Sequence, residues 1–192
     1  KYYMVDCGME QGTDVFQNIP LPIAAGMIEA VFLTHAHIDH SGMLPKLYKE
    51  GFRGLIYTTQ TTTNLCAIML KDSAHIQESE AEWKNRKAKR AGGPLIEPIY
   101  TTQDAMETIS RFRPCAYGEV LQVGEGVHAR FTDVGHLLGS ACIELWLTEN
   151  GETRKIVFSG DVGNLNQPIL NDPKFVDEAD YLVIESTYGD RH

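Results

Sequence analysis

The chain has 192 residues, 43% of them hydrophobic and 22% charged, with a formal net charge of −9. That length and balance suit one globular domain with a sizeable core, and the acidic excess argues against non-specific adhesion to nucleic acid. No apolar stretch reaches membrane-spanning length and no signal-peptide pattern opens the chain, so a cytoplasmic protein without membrane attachment is expected.

The first predicted element is a strand over residues 1–7, ending at Asp6-Cys7-Gly8, where the glycine permits a sharp change of direction. Asp6 is there either as a turn former or as a carboxylate that orients a ligand histidine. Residues 9–22, with Pro20 and Pro22, read as a loop that leads through a short helical piece to a buried central strand, Ala30-Val31-Phe32-Leu33. Thr34-His35-Ala36-His37-Ile38-Asp39-His40-Ser41-Gly42 follows directly. Apolar spacing at Met43, Leu44, Leu47 and Tyr48 then predicts a helix over 41–50, with Gly51 at its end.

A short strand is expected over 54–57 and a long helix over 61–90, whose Leu65, Ile68, Met69, Leu70, Ala74, Ile76, Ala81 and Trp83 form one apolar face. Its basic end (Lys84, Arg86, Lys87, Lys89, Arg90) reads as a solvated terminus favoured by the helix dipole, with a phosphate-backbone contact as the alternative. Gly92-Gly93-Pro94 breaks this helix, and Thr101-Thr102 cap a further one over 103–112. From Glu119 the period changes to two, and 120–123, 127–132, 141–147 and 155–158 read as strands, with Asn150-Gly151 at a hairpin turn. A last strand over 181–185 leads into Ser186-Thr187-Tyr188-Gly189. Helices and strands mixed around one core imply an α/β layered domain. The four cysteines (Cys7, Cys66, Cys115, Cys142) form no CxxC pair and read as reduced, buried thiols.

The chemistry concentrates in the stretch after the central strand. His35, His37, Asp39 and His40 fall within six residues on a strand-to-helix turn, where side chains can converge. Neutral imidazoles and a carboxylate are the ligand set that zinc prefers, although manganese or iron also accepts it. His35 and His37 can pinch one ion, while Asp39 and His40 can turn toward a second. Two later turns complete the set: His136 in Val134-Gly135-His136 and Asp161 in Ser159-Gly160-Asp161, each after a strand and beside a glycine. His136 would give the first metal its third nitrogen, and Asp161 could bridge both ions. The remaining histidines, His75 on the long helix and His128 in a strand, read as surface or packing residues, and His192 has no assigned place.

His35-x-His37-x-Asp39-His40, with His136 and Asp161 downstream, resembles the motif set of the metallo-β-lactamase superfamily, and Asp6 matches its first acidic motif. The segments Leu70–Gln77, Gly135–Ala141 and Glu185–Arg191 resemble the β-CASP branch, the RNA-processing nucleases that include RNase J and the endonuclease of messenger-RNA 3′ ends. The resemblance covers essentially the whole chain. It implies an α/β fold of the metallo-β-lactamase type, an αββα sandwich, here incomplete. Residues 1–192 are then the N-terminal part of the lactamase domain. The opening strands, the inserted β-CASP domain expected after residue 192 and the C-terminal return that carries a seventh metal ligand lie outside them. Such a piece is expected to be inactive alone.

The same resemblance implies two zinc ions, the first held by His35, His37 and His136, the second by Asp39 and His40, with Asp161 bridging. It makes Asp39, Asp161 and Glu185 catalytic. Glu185 falls on an acidic motif that positions a histidine supplied by the absent part, which would protonate the leaving group. The implied reaction is hydrolysis of a phosphodiester in single-stranded RNA by hydroxide held between the zincs; a homo-oligomer is compatible with it. The alternatives are a DNA nuclease of the same branch, a small-molecule metallo-hydrolase acting on an ester, lactone or thioester, and a scaffold subunit without metal. Nothing among these residues reads a 2′-hydroxyl.

Overall fold

The computed structural model describes residues 1–10, 20–187 and 189–190. Four strands, β1 (Tyr2–Val5), β2 (Ile28–Phe32), β3 (Leu55–Thr59) and β4 (Phe112–Cys115), pair in chain order and all in parallel. Parallel neighbours need long crossovers. The chain supplies α1 (Ile38–Ser41) and α2 (Leu44–Lys49) between β2 and β3, then α3 (Gln60–Ala91) and α4 (Thr102–Ile109) between β3 and β4. A second sheet is built by hairpins from β5 (Leu121–Gly124), β6 (Val127–Asp133), β7 (Ala141–Glu149) and β8 (Glu152–Phe158), with β9 (Tyr181–Val183) added in parallel beside β8. Asn150 and Gly151 turn the β7–β8 hairpin with φ of 52° and 81°, the conformation that an Asn-Gly pair adopts at least cost.

β2 shows how the layers stack. Its alternation sends Val31 toward the helices, where it packs with Leu33, Ile56, Cys66, Leu70 and Ala74. Phe32 points the other way, into the seam between the sheets, against Ala129, Phe131, Ile143 and Leu145. A strand covered on both faces reads as a continuous apolar run, which is why the central strand was visible in the sequence. The layers are therefore helices, parallel sheet, mixed sheet. On the outer face of the mixed sheet Val134, Cys142 and Val157 pack against Val176, and Arg130 and Lys155 meet the buried Glu144. No helix covers that face among the described residues, so three of the four layers of an αββα sandwich are present in them.

Several expectations need correction. The helix predicted over 41–50 is two: α1 ends at Ser41, and α2 restarts at Leu44 with Pro45 in its first turn, where the missing N–H costs nothing. The helix predicted to reach Phe112 stops at Ile109, and Phe112–Cys115 form β4 instead. Phe112, Arg113, Pro114 and Cys115 carry no period-two signal, so long-range pairing with β3 decides their conformation. The long helix spans its predicted range, but its buried face is Thr62, Cys66, Leu70, Ala74 and Ala81. Ile68, Ile76 and Trp83 are exposed. All four cysteines are free thiols, and burial pushes Cys7 and Cys66 up to about 12, which keeps them protonated. Residues 11–19 of the predicted loop, and Tyr188, Arg191 and His192, lie outside the described residues.

Candidate metal centre

The residues singled out in the sequence meet where β1, β2, β6, β8 and β9 end. Asp6 follows β1, His35 and His37 lie in the turn after β2, and Asp39 and His40 are in α1. His136 follows β6, Asp161 follows β8 and Glu185 follows β9. Each turn is built by its neighbours. The buried Ser41 hydroxyl donates to the carbonyls of Ala36 and His37, tying α1 to the histidine turn. Ser140, also buried, accepts from the backbone N–H groups of His136 and Leu137 at 3.1 and 3.2 Å and so shapes the third ligand loop. Gly8 lies so close to α1 that a Cβ there would fall 1.6 Å from the Asp39 carbonyl oxygen. Gly160 takes φ of +56° against Thr34 and delivers Asp161 to the cluster.

Four ligand atoms converge. His35 Nε2 lies 3.1 Å from His37 Nδ1, which lies 3.3 Å from His136 Nε2. Asp161 Oδ2 is 3.7 Å from His35 Nε2 and 3.5 Å from His136 Nε2. An ion with four ligands at about 2.0–2.1 Å in a tetrahedron sets them about 3.3 Å apart. The N3O donor set suits a zinc-like ion, and its four atoms all lie within 4.8 Å of one another, so the group would close slightly around an ion. The other oxygen of Asp161, Oδ1, is 3.2 Å from His40 Nε2, which in turn lies 3.9 Å from Asp39 Oδ2. Asp39 is the loosest member, with its side chain 62% exposed, against 21% for His40 and 23% for Asp161.

Burial and charge are graded across the site. His35 is fully buried, and burial first, then the neighbouring His40, His37 and His136, press its imidazole down to about 2. It is therefore neutral at physiological pH, the form that binds a cation. Burial also lowers His136. Burial likewise pulls His40 down, but the hydrogen bond and charge of Asp6, with Asp161 and Asp39 beyond, outweigh it and raise its value.

Asp6 stands directly behind His40 and, through Thr34, behind His35. Its Oδ1 accepts from the Thr34 N–H at 2.8 Å, and its Oδ2 accepts from the Thr34 hydroxyl at 2.8 Å and from His40 Nδ1 at 2.7 Å. Asp6 also turns the chain, with φ of 56°. Glu185 accepts from the Val162 N–H at 2.6 Å and the Thr187 hydroxyl at 2.9 Å. It shares with Asp6, Thr34, His40 and Asp161 the lining of a cleft of about 320 Å³. Its own N–H donates to the Ser159 hydroxyl. His75 is exposed and His128 half-buried in β6, both away from the cluster, in line with the bland reading of each. Sequence reasoning passed over Thr34, Ser41, Ser140 and Ser159. A hydroxyl beside a ligand carries no pattern of its own, and only the position of Thr34 directly before the first histidine could have drawn notice.

A family model described as the beta-lactamase superfamily domain matches residues 1–192. The chain is 38% identical over 189 residues to Ribonuclease TTHA0252 of Thermus thermophilus, which covers 98% of this chain and 38% of that protein. It is 35% identical over 167 residues to transcription termination factor FttA of Pyrococcus abyssi, covering 85% of this chain and 23% of that one. To an RNase J-like protein of Methanocaldococcus jannaschii it is 33% identical over 187 residues, covering 97% and 37%. The chain thus spans between 23% and 38% of the length of these relatives.

Proposed function

Since the chain belongs to the metallo-β-lactamase superfamily, a fold that implies a divalent metal, we propose that its full-length protein is a zinc-dependent nuclease of the β-CASP branch that hydrolyses phosphodiesters in single-stranded RNA. The observation that carries this reading is Asp161, whose Oδ2 faces His35 and His136 while its Oδ1 faces His40. One carboxylate set between two ligand groups suits two ions. The names of the relatives, a ribonuclease and an RNase J-like protein among them, support RNA as the substrate. In this reading residues 1–192 are the N-terminal part of the lactamase domain and the β-CASP domain follows in the full protein.

His35, His37 and His136 would hold the first ion, His40 and Asp39 would hold the second, and Asp161 would serve both. When bound there, a pair of divalent ions would supply Lewis acidity, lowering the pKa of water and offsetting charge on the oxygens of a phosphodiester. The chain's own residues supply the rest. Asp6 accepts a hydrogen bond from His40 Nδ1–H, which would leave Nε2, on the side of Asp161, to the second ion. Among the described residues Glu185 is held by one donor on each oxygen, Val162 N–H and the Thr187 hydroxyl, and each oxygen can accept a further bond. That suits a carboxylate that orients a histidine from elsewhere in the full protein, which would give a proton to the departing oxygen.

The deciding experiment gives the full-length, zinc-loaded protein matched single-stranded RNA and DNA, with Asp161→Ala beside it. Cleavage of RNA alone, absent in the variant, is expected, and the product ladder separates internal from terminal cuts. Cleavage of DNA instead would move the protein to the DNA nucleases, and no cleavage of either would overturn the nuclease reading.

A further inference from the structure

We infer that Thr34 is a positioning residue that fixes the proton of His35, so that Asp6 sets two ligand histidines at once, one directly and one through a hydroxyl. This rests on the reading of the cluster as a metal site. Thr34 is 1% exposed, and its Oγ1 lies 2.8 Å from Asp6 Oδ2 and 3.0 Å from His35 Nδ1. A hydroxyl has one proton to donate. The Asp6 carboxylate accepts from the Thr34 N–H and from His40 Nδ1–H and has no proton to give, so the hydroxyl proton goes to it. Toward His35 the hydroxyl then has only a lone pair to offer. His35 must place its proton on Nδ1 and keep the Nε2 lone pair, which points at the cluster 3.1 Å from His37 Nδ1 and 3.7 Å from Asp161 Oδ2.

His35 is fully buried, so no solvent competes to hold the other tautomer. Without the hydroxyl, Nδ1 would have no partner, and an imidazole protonated on Nε2 cannot bind an ion there. Thr34 is well placed to carry such a constraint. Its carbonyl accepts from the Ala141 N–H at 2.9 Å, and a Cβ on Gly160 would stand 2.9 Å from its own Cβ. It is thereby tied to β1, to the start of β7 and to the turn that delivers Asp161. Valine at 34 keeps the shape and the backbone contacts and removes only the hydroxyl chemistry, whereas serine keeps the hydroxyl.

The test compares the full-length wild type with Thr34→Val and Thr34→Ser, with nitrogen-labelled histidine and metal-free, by tautomer-sensitive proton–nitrogen correlation. The His35 signal is assigned by its loss in His35→Gln. The wild type and Thr34→Ser are expected to hold the proton on Nδ1, and Thr34→Val to lose that preference. Zinc affinity, read by competition with a chelator, is expected to fall by roughly 10–100-fold in Thr34→Val and to stay within about threefold in Thr34→Ser. A wild-type His35 protonated on Nε2 would overturn the inference whether or not any variant folds. So would an unchanged affinity in Thr34→Val, or an equal loss in Thr34→Ser, which would make packing the cause. Failure of the wild type to bind zinc would instead overturn the metal reading, and the tautomer would still decide the role of Thr34.

Discussion

Asp161 divides its two oxygens between two histidine groups, so its removal acts on both at once. Asp161→Ala takes away Oδ2 from beside His35 and His136 and Oδ1 from beside His40, while the strands that frame it stay paired. Hydrolysis by the full-length protein is expected to fall by at least ~10³-fold with the urea midpoint little changed, since two ions that stabilise developing charge would lose their shared ligand. Turnover retained in the variant would sink the two-metal arrangement. The preceding Gly160 tests placement rather than chemistry. It holds φ of +56°, and a Cβ would stand 2.9 Å from the Cβ of Thr34 and 3.2 Å from the Ala141 carbonyl oxygen. Gly160→Ala should therefore cost about 1–2 kcal/mol of stability from the left-handed backbone and the clash. It should also weaken metal binding, although no ligand has been changed; chemical denaturation and zinc titration read the two effects separately.

At the scale of elements, the mixed sheet carries an ionic lock on its outer face. Glu144 of β7 is fully buried and accepts from Arg130 Nε and Nη2 of β6 at 2.8 and 2.7 Å, from the Thr132 hydroxyl at 2.8 Å and from Lys155 Nζ of β8 at 2.7 Å. Burial alone would raise its carboxyl, but the hydrogen bonds from Arg130, Lys155 and Thr132 prevail and hold it down at about 2, against an ordinary 4.5. A depressed carboxyl stabilises the fold above its unfolded value, and that contribution is lost as pH falls from about 4.5 toward 2, here on the order of 2–3 kcal/mol. Glu144→Gln should destabilise the protein at neutral pH, with the gap to the wild type closing as pH drops through that window. A gap independent of pH, measured by urea unfolding, would mean that the lock contributes shape and not charge. None of this network was legible in the sequence, where Glu144 stands in an alternating strand as an ordinary outward residue. The convergence of His35, His37, Asp39 and His40 was legible because all four lie in one turn, and grouping on one turn is local information. β4 was not, because Pro114 and Arg113 hide a strand that only its partner Tyr57–Thr59 specifies. The exposed Ile68, Ile76 and Trp83 show the same limit on α3, since periodicity marks an apolar flank but not which flank meets the sheet.

For the molecule as a whole, the two ligand groups are unequal, and that inequality predicts how metal loading depends on the length of chain. The first group has three nitrogens and one oxygen within 4.8 Å of one another, built on a buried histidine. The second offers only His40 and the shared Asp161 Oδ1 at close range, with Asp39 exposed and 3.9 Å from its neighbour. Three donors, one of them shared and one loosely held, leave an ion short of the four ligands that zinc takes. Residues 1–192 prepared alone should therefore hold one zinc tightly and a second only at concentrations higher by roughly 100-fold or more, whereas the full-length protein should hold two. A bound ion stabilises the folded state in proportion to the logarithm of its concentration over its dissociation constant, so the melting temperature of residues 1–192 should rise with the first equivalent and barely with the next. Elemental analysis after gel filtration, with that melting series, measures both. Two tight ions on residues 1–192 would show that Asp39, His40 and Asp161 suffice and that no further ligand is needed from the rest of the protein. No tight ion would place the burden of closing the first group on contacts outside these residues.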